Sequence, residues 1–405
     1  MIANRWTPTT EEDIISSISG GTLRESHYLE VKQSANNSSI AATLASLAID
    51  GGTFILGIEE VTDDKKNKSL NPKPLLTEGL PERIDQIARN SVEPSLIVRT
   101  RIIPSAQDSN HGYAVVVVPP SPVAPHMAGG KYYARGEASK HSLGDAEVLR
   151  YHQHRQQQLE LGARLLQDEQ ERDYLPADKR SAGHIYIVAE PLMPVSQSML
   201  EALVYNSTLF EIVVEGCVTA AETHPDPRRA SNKVIRSNGT AFVSYAALGE
   251  GRTPNAEAHE DSVEGGLLDI EVTHTGGFRV YLGRGTDHYN GLDDKVIMDS
   301  NAVGYLQHLM SWIARLSEAI NYGGAWTIGI RATGLRGLRS SRSIQRRFDN
   351  NYGAMDAETY QKVIMASLAE IQDTPNRVVK SLIGHYLRAL GTEWHYSLER
   401  ETAKN

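Results

Sequence analysis

Two glutamates near the start of the chain, and a glutamate pair further on, are of the residue type that binds hard cations. Glu25 and Glu30 are five positions apart, and Glu59 and Glu60 directly follow the apolar run that ends at Ile58. Clustered carboxylates suit Mg²⁺ or Mn²⁺, which take oxygen ligands, activate water and neutralise charge that develops on a phosphodiester during displacement. The alternative interpretation is that Glu25 is an exposed loop residue and that Glu59 and Glu60 form a solvated turn.

Lys32 belongs to the same short segment as Glu30, and this segment alternates like a strand. Because side chains alternate between the two faces of a strand, Lys32 and Glu30 should share the face opposite Val31. A lysine in that position can hold a phosphate or stabilise a leaving oxygen. The equally simple alternative is an ion pair with the neighbouring acidic side chains.

A second basic segment, from Lys131 to Gly136, combines cations with aromatic rings. Lys131 and Arg135 offer ammonium and guanidinium groups for phosphate, and Tyr132 and Tyr133 offer ring faces for bases. On a strand of a globular domain, the same residues can instead serve packing alone. The segment is therefore a candidate nucleic-acid contact.

The second half of the chain has a dense group of arginines among glycines and serines. Arginine in such a flexible setting suits phosphate contacts. A solvated face or an oligomer contact is the commoner meaning of such runs and remains the alternative. The group spans seventeen residues and comprises Arg331, Arg336, Arg339, Arg342, Arg346 and Arg347, of which we take Arg336, Arg339 and Arg342 as candidate contacts.

The elements that must position the first two groups form an α/β pattern. Apolar periodicity and turn residues predict strands at 28–32, 53–58, 96–103, 113–118 and 131–136, helices at 40–49 and from Pro81, and a polar loop at 59–79. Pro119 and Pro120 end the last buried strand, because proline lacks the donor that a sheet needs. A glutamine-rich helix is predicted from Asp145 to about Glu171.

The second half also mixes helices and strands. Strands are predicted at 184–188, 209–218, 240–245 and 277–282, helices with apolar stripes at 303–320 and 378–390, and long polar loops at 219–238 and 249–264. We therefore predict an α/β (α+β) protein of two domains, residues 1–150 and 178–405, joined by a helical connector at 151–177. The second domain's role is a sensor, a partner contact or assembly.

Composition limits the classes of function. A formal net charge of −9 gives no general attraction to nucleic acid, so a phosphate-binding surface must be local. The single cysteine, Cys217, excludes an internal disulfide framework and a cysteine-cluster zinc site, and it favours a reducing compartment, the cytoplasm. No apolar run is long enough to span a membrane, and no glycine-rich nucleotide fingerprint surrounds Gly51 and Gly52. We expect no membrane, zinc or nucleotide binding.

Three features of residues 20 to 150, taken in order, resemble the Schlafen AlbA-type domain family. The family pattern is a glutamate-serine pair, a glutamate-hydrophobic-lysine strand, an alanine-rich helix ending in a double glycine, a hydrophobic strand followed by an acid, and a late tyrosine-x-arginine-glycine. The matching segments are Glu25-Ser26 with Glu30-Val31-Lys32, Asp50-Gly51-Gly52 through Gly57-Ile58-Glu59-Glu60, and Lys131-Tyr132-Tyr133-Ala134-Arg135-Gly136. The resemblance covers about a third of the chain.

This resemblance implies an α/β domain that grips RNA or DNA and, as in the nuclease members, a divalent-metal site of three carboxylates. Position by position these are Glu25, Glu30 and Glu60, with Glu59 as the alternative to Glu60. Mg²⁺ or Mn²⁺ would be the metal. Lys32 would assist catalysis, and the nucleic-acid contacts would be Lys131, Tyr133 and Arg135.

The function that follows is a metal-dependent endoribonuclease acting on structured RNA such as tRNA, in defence against phage. Vertebrate nuclease members build their grip from two similar lobes, whereas the motif set occurs once in this chain. We therefore expect a homodimer, unless the second half supplies the other wall. The alternative function is a non-catalytic DNA- or RNA-binding regulator whose second domain senses a ligand or partner.

Overall fold

A computed structural model describes residues 6–62, 68–137, 139–217, 222–245, 264–288, 295–344 and 353–398. The chain divides into two compact units, Met1–Gln156 and Gln157–Asn405. The division falls within one helix, Asp145–Glu171, which has the span that the sequence predicts. Both units contain helices and strands, so the predicted fold class, α+β with more than one domain, is confirmed.

The first unit holds a mixed sheet and a smaller second sheet. The main sheet has the order β1-β2-β8-β5, with β7 also paired to β8, and the second has the order β11-β10-β9-β6. β1 runs parallel to β2, and β3 and β4 form a separate hairpin. The strands are β1 (Leu29–Lys32), β2 (Gly52–Leu56), β3 (Ile58–Thr62), β4 (Lys68–Pro72), β5 (Leu75–Leu76), β6 (Val92–Glu93), β7 (Arg99–Pro104), β8 (His111–Val118), β9 (Met127–Ala128), β10 (Lys131–Arg135) and β11 (Lys140–Ser142). The helices are α1 (Glu11–Ser19), α2 (Asn37–Leu47), α3 (Leu80–Asn90) and the start of α4 (Asp145–Glu171).

Helix α2 and the turn after it fix the position of β1. The Asn36 side chain caps α2 by accepting a hydrogen bond from the Ser39 backbone N–H, and the alanine-rich helix is buried along nearly its whole length. Gly51 has a positive φ of 76°, which glycine adopts without strain. A Cβ at Gly52 would come within 2.6 Å of the Tyr28 carbonyl oxygen, so the double glycine lets the chain pass close to the start of β1.

The stretch 59–79, predicted as a loop, contains strands instead. β3 and β4 pair antiparallel, with Glu60 opposite Leu70, and β5 joins the main sheet through β8. The loop prediction rested on polar composition. A hairpin outside the main sheet buries few side chains, so its strands keep a polar composition and give no apolar alternation.

The second unit is built on one seven-stranded sheet of order β13-β14-β15-β16-β12-β19-β20, in which every pairing is antiparallel. Its strands are β12 (Ile185–Pro191), β13 (Asn232–Arg236), β14 (Gly239–Val243), β15 (Leu268–Thr273), β16 (Phe278–Leu282), β17 (Thr286–His288), β18 (Lys295–Ile297), β19 (Ala325–Ala332) and β20 (Tyr360–Ser367). Its helices are α5 (Gln197–Tyr205), α6 (Thr208–Phe210), α7 (Asp299–Ala319), α8 (Ser341–Ile344), α9 (Leu368–Asp373) and α10 (Pro375–Ala389), besides the end of α4.

Two apolar helices cover one face of this sheet, and α4 packs against the other. The stripes predicted at 303–320 and 378–390 are helices α7 and α10, and both join the large core that includes Trp312 and Trp326. On the opposite face, a Cβ at Gly162 of α4 would lie 2.6 Å from Val363 and 2.8 Å from Thr327. Glycine therefore allows α4 to approach β19 and β20 closely.

Two predictions for the second half are wrong. The segment predicted as a strand at 209–218 is α6 followed by a single π-helical turn, Glu211–Glu215. Ile212, Val213 and Val214 are all buried, and consecutive burial occurs in a helix packed on several sides as well as in a central strand. The predicted loop at 219–238 contains β13, which forms a hairpin with β14. Most of the predicted loop at 249–264 lies outside the described residues.

One face of the second sheet buries charged side chains as a network. Arg236 of β13 donates to Asp269 through two contacts of 3.1 and 2.8 Å, and its Nη1 also donates to Glu271 at 3.1 Å. Arg172 reaches the same Glu271 oxygen at 3.1 Å. The side chains of Asp269 and Glu271 are fully buried, so these guanidinium groups supply the positive charge that permits two carboxylates inside the protein.

A buried histidine sits between two carboxylates in the same unit. Nδ1 of His184 lies 2.7 Å from Asp173 and Nε2 lies 2.8 Å from Glu264. Tyr186 and Tyr281 also donate their hydroxyls to Asp173. Burial opposes a charge on His184, but the hydrogen bonds and charges of the two carboxylates outweigh it and raise the pKa of His184.

We expect this histidine to make stability pH-dependent. Because the folded pKa of His184 lies above the ordinary value of 6.5, its contribution is complete below that pH and is lost as pH rises through the raised value. The free energy of unfolding should fall there by up to about 1.4 kcal/mol per pH unit. Urea unfolding at intervals from mildly acidic to alkaline pH measures the slope.

His184→Gln is the matched variant, and it should be less stable but lack the decline on the alkaline side. An equal alkaline decline in both proteins would contradict the assignment. On the acid side, Asp173 and Glu264 have lowered pKa values, because hydrogen bonds from His184 and its neighbours outweigh burial. Their contribution is lost as pH falls through those values.

No helix among the described residues has both the length and the apolar composition needed to cross a membrane.

Candidate functional site

Strand β1 presents Glu30 and Lys32 on one face, as the sequence predicts. Lys32 Nζ lies 2.9 Å from Glu30 Oε1, so the two side chains form an ion pair. The Glu30 side chain is 7% exposed, whereas that of Lys32 is 32% exposed. Burial would raise the pKa of Glu30, but the hydrogen bonds and charges of Lys32 and Arg135 outweigh it and lower that pKa. Glu30 is therefore a carboxylate held in its charged form.

Arg135 of β10, which belongs to the last motif of the sequence pattern, contacts Glu30 of β1, which belongs to the first. Its Nη1 donates to Glu30 Oε2, although the two residues are 105 positions apart. Nε donates to the Ser26 carbonyl oxygen at 2.7 Å, and Nη2 donates to the Leu29 carbonyl oxygen at 2.8 Å. The side chain is 1% exposed. Arg135 thus lies inside the protein and fixes β10 to β1, a placement that does not present it to solvent for the predicted phosphate contact.

Glu25 lies beside this pair and differs from Glu30 in its electrostatics. One carboxylate oxygen accepts a long hydrogen bond, 3.4 Å, from the Val31 backbone N–H. Burial and the charge of Glu30 raise the pKa of Glu25, only partly offset by that hydrogen bond and by Arg135 and Lys32. Glu25 is therefore the carboxylate of the site that takes up a proton most readily.

Lys140, which sequence analysis did not select, belongs to the same group. It begins β11, where it is paired directly with Arg135 across the strands, and its Nζ donates to Thr43 Oγ1 at 3.1 Å. Burial and the positive charge of Lys32 lower the pKa of Lys140, and Glu30 and Glu25 partly offset this. Only the pairing of β11 with β10 places Lys140 in this group, and a strand of three residues is too short for its sequence to predict that pairing. We call Glu25, Glu30, Lys32, Arg135 and Lys140 the β1 cluster.

The third predicted metal ligand is not part of this cluster as the structure describes it. Glu59 forms an ion pair of 2.8 Å with Lys73, and Glu60 lies on β3 opposite Leu70. Across the described ranges, no group of three histidine, cysteine, aspartate or glutamate side chains is placed to hold a metal ion.

The oxygen donors of the β1 cluster are too few to hold a divalent cation in the arrangement that the structure shows. Glu30 already binds a cation through each of its oxygens, Lys32 on one and Arg135 on the other. That leaves Glu25 as the carboxylate available for a metal, and one carboxylate is short of the several oxygen ligands that Mg²⁺ or Mn²⁺ needs from protein and substrate. In this arrangement the residues do not fit a three-carboxylate centre, and a metal bound by Glu25, Glu30 and Glu60 stays a prediction.

Among known proteins, only solved structures align with this chain, and the two described below align over about a third of it. No family model matches the chain, and no curated protein matches it. Among solved structures, the N-terminal domain of a RecG-related protein from Nitrosomonas europaea aligns over 34% of this chain and 96% of its own, with 19% identity and a TM-score of 0.24. The DIP2311 protein from Corynebacterium diphtheriae aligns over 34% of this chain and 27% of its own, with 14% identity and a TM-score of 0.23.

The other predicted nucleic-acid contacts of the first unit lie on β10. Lys131 is exposed at the start of this strand. Tyr133 is partly buried and packs against the core beside α2, so packing accounts for at least part of its role. Lys131 keeps the exposure that a phosphate contact requires.

The arginines of the second half are described only in part. Arg336 and Arg339 are exposed, Arg342 is half-buried beside Tyr396, and Arg331 donates to Gln361 at 2.8 Å. Arg346 and Arg347 lie outside the described residues. A phosphate contact by Arg336, Arg339 or Arg342 stays a prediction.

Taken together, the β1 cluster contains three cations and two carboxylates, of which one pair is buried and neutralised. Its remaining members are Lys32, which also pairs with Glu30, Lys140, whose pKa the charge of Lys32 helps to lower, and Glu25, whose pKa is raised. Such a group can bind an anion, and it can exchange a proton with what it binds.

Proposed function

We propose that the first unit binds the phosphate backbone of RNA or DNA at the β1 cluster. The observation that carries this proposal is that Lys32 and Lys140 both border the Glu30–Arg135 pair: Lys32 forms an ion pair with Glu30, and Lys140 is paired with Arg135 across the strands. The charge of Lys32 contributes to the lowered pKa of Lys140, and both lysines retain some exposure, so a phosphate placed between them would be attracted by both. Lys131, exposed on neighbouring β10, would extend the contact along the backbone.

The resemblance to the Schlafen AlbA-type domain supports this proposal. Its motif residues Glu30, Lys32 and Arg135 come from two segments far apart in sequence, and they are in direct contact. The net charge of −9 is compatible with a local basic surface, because fields from distant charges are screened within about 10 Å at moderate ionic strength. We infer a binding site that depends on few phosphate contacts and is sensitive to salt.

The first test replaces both lysines with glutamine. Lys32→Gln with Lys140→Gln should weaken binding of labelled single-stranded RNA, hairpin RNA and duplex DNA by a similar factor, because phosphate contacts do not read sequence. For each lysine–phosphate interaction that the substitutions remove, the fall of log K with log salt concentration should become less steep by about 1. Fluorescence anisotropy over a salt series measures both quantities.

Lys362→Gln is the control, since Lys362 is an exposed lysine on β20 of the other unit. It should leave affinity and slope unchanged. If the chain binds nucleic acid and the double variant keeps the wild-type affinity and slope, the β1 cluster is not the phosphate site. If the wild-type chain binds none of the three nucleic acids at low salt, the proposal itself is wrong.

The second candidate function is cleavage of structured RNA, such as tRNA, by the same site, in defence against phage. Glu25 favours it, because a carboxylate with a raised pKa beside two lysines is suited to accept a proton from an attacking hydroxyl or water. The lysines would then stabilise the charge that builds up on the phosphate. The alternative, a non-catalytic regulator, needs the lysines but not the proton exchange.

Glu25→Gln separates these two functions, because it removes the proton acceptor and preserves the shape of the side chain. We would incubate wild-type and variant proteins with total tRNA in Mn²⁺, in Mg²⁺ and in EDTA. Endoribonuclease function predicts cleavage by the wild type and a loss of about 100-fold or more in the variant, with RNA binding retained. Binding without cleavage in every condition would favour the regulator.

We also propose that two copies of the chain pair to enclose the nucleic acid, since the motif set occurs once in the sequence. The molar mass measured by light scattering, with and without a bound hairpin RNA, tests this. A single-chain mass in both states would contradict the pairing.

A further inference from the structure

The β1 cluster carries more positive than negative charge, although the sequence predicts a metal at the same place. Lys32, Arg135 and Lys140 supply three cations, and Glu25 and Glu30 supply two carboxylates. The cluster therefore has an excess of one positive charge when all five groups are ionised. A divalent cation placed among them would meet three positive charges at close range, and Coulomb repulsion would weaken its binding.

Both carboxylate oxygens of Glu30 have cationic partners. Lys32 Nζ lies 2.9 Å from Oε1, and Arg135 Nη1 donates to Oε2. The Glu30 side chain is 7% exposed and that of Arg135 is 1% exposed, so this pair lies in the protein interior. Lys32 differs from Arg135, because 32% of its side chain is exposed. Lys32 thus contacts the buried carboxylate and also has exposed surface of its own.

Lys32 can make the contacts that a bound metal would make in such a site. Mg²⁺ is usually held by one or two carboxylates together with phosphate oxygens of the substrate, so it bridges groups of like charge. An ammonium group is also positively charged, and it has three N–H donors. Lys32 donates one of them to Glu30 and can donate another to a phosphate oxygen. The lysine can therefore join a carboxylate and a phosphate as a metal would.

We propose that Lys32 takes the place of a divalent cation in the β1 cluster, so that this site binds the phosphate of a nucleic acid without a metal. Lys140, paired with Arg135 across the strands, supplies the second ammonium group. This role of Lys32 rests on the phosphate binding proposed above, and it gives that binding a property of its own, independence of Mg²⁺ and Mn²⁺. Lys32 is also the residue that keeps Glu25 and Glu30 from holding a metal together.

Metal titration of the full chain tests the role of Lys32 without any nucleic acid. Calorimetry with Mn²⁺ should give the same isotherm for the wild type and for Glu25→Gln, because the cluster holds no metal while Lys32 is present. Lys32→Gln should bind Mn²⁺ about tenfold or more tightly than the wild type does, since it removes a positive charge and releases one oxygen of Glu30. The gain should disappear in the double variant Lys32→Gln, Glu25→Gln.

Lys32→Arg and Lys362→Gln are the matched controls for the metal titration. Arginine keeps the positive charge at position 32, and Lys362 is an exposed lysine of the second unit, so neither variant should gain Mn²⁺ binding. Mn²⁺ binding by the wild type that Glu25→Gln removes would overturn the proposal. So would the absence of a gain in Lys32→Gln.

Binding of hairpin RNA separates the role of Lys32 from the proposed function. At constant ionic strength, fluorescence anisotropy should show an affinity of the wild type in EDTA at least as high as in Mg²⁺ or Mn²⁺, because divalent cations compete for the phosphates. An affinity that falls about tenfold or more in EDTA and is restored by Mn²⁺ would overturn the proposal. If the RNA binds in none of the three buffers, the proposed function fails, and the metal titration still decides the role of Lys32.

Discussion

Replacing Arg236 with methionine is expected to lower the free energy of unfolding by about 3–5 kcal/mol, the usual effect of breaking a buried ion pair. Asp269 and Glu271 share this guanidinium, and the side chains of both carboxylates are fully buried. Methionine has a similar length, so the main change is the loss of positive charge. Urea unfolding followed by tryptophan fluorescence measures the effect, because Trp312 and Trp326 lie in the core of the same unit.

Arg229→Met provides the control, since Arg229 is an exposed arginine close by in sequence. Surface substitutions of this kind change stability by about 0.5 kcal/mol or less. A triple variant, Arg236→Met with Asp269→Asn and Glu271→Gln, should recover part of the loss, because it removes the carboxylate charges as well. A decrease of less than about 1 kcal/mol in Arg236→Met would show that the other partners of the two carboxylates, Arg172 among them, are sufficient to balance their charge.

Replacing Arg135 with methionine should have a comparable effect on the first unit and should also abolish nucleic-acid binding. Glu30 would lose the guanidinium on its Oε2, and the Ser26 and Leu29 carbonyl oxygens would lose their donors. We expect a decrease of about 3–5 kcal/mol in the free energy of unfolding. Hydrogen exchange of the β1 and β10 amides measures this loss of stability locally. Fluorescence anisotropy, at a temperature where the variant is folded, measures nucleic-acid binding.

Glu30→Gln separates the two roles of Arg135, which are to neutralise Glu30 and to donate to the backbone carbonyl oxygens. If Arg135 acts mainly by neutralising Glu30, then the double variant Arg135→Met, Glu30→Gln should be more stable than Arg135→Met alone. Lys32 would be released from its ion pair in both variants that lack the Glu30 charge. If the double variant is as unstable as Arg135→Met, the backbone contacts of Arg135 dominate its role.

Local patterns predicted the parts of the site that depend on neighbours in sequence. The alternation of β1 placed Lys32 and Glu30 on one face, and their ion pair confirms it. The contact between Glu30 and Arg135 depends on how two sheets come together, which no local periodicity encodes. Lys140 was missed for the same reason, since its neighbours are set by the pairing of β10 with β11.

The burial of Arg135 shows that residue type alone does not predict whether a charged side chain is exposed. A guanidinium near tyrosines suggests a surface for nucleic acid, but a carboxylate from a distant strand can draw it into the interior. In the second unit, apolar helix stripes were predicted correctly at α7 and α10 because they repeat over several turns. Strand β13 was missed because its pattern is inverted, with Ile235 exposed and Arg236 buried, and β15 because Asp269 and Glu271 interrupt its apolar pattern.

The open sheet of the second unit has a consequence for behaviour at high concentration. Strands β13 and β20 are its two edges, and each lacks a strand partner on its outer side within the described ranges. An exposed edge can recruit a strand from another molecule and begin aggregation. Each edge carries a lysine, Lys233 on β13 and Lys362 on β20, and both are exposed. An added strand would have to bury these charges, so the two lysines oppose self-association at the edges.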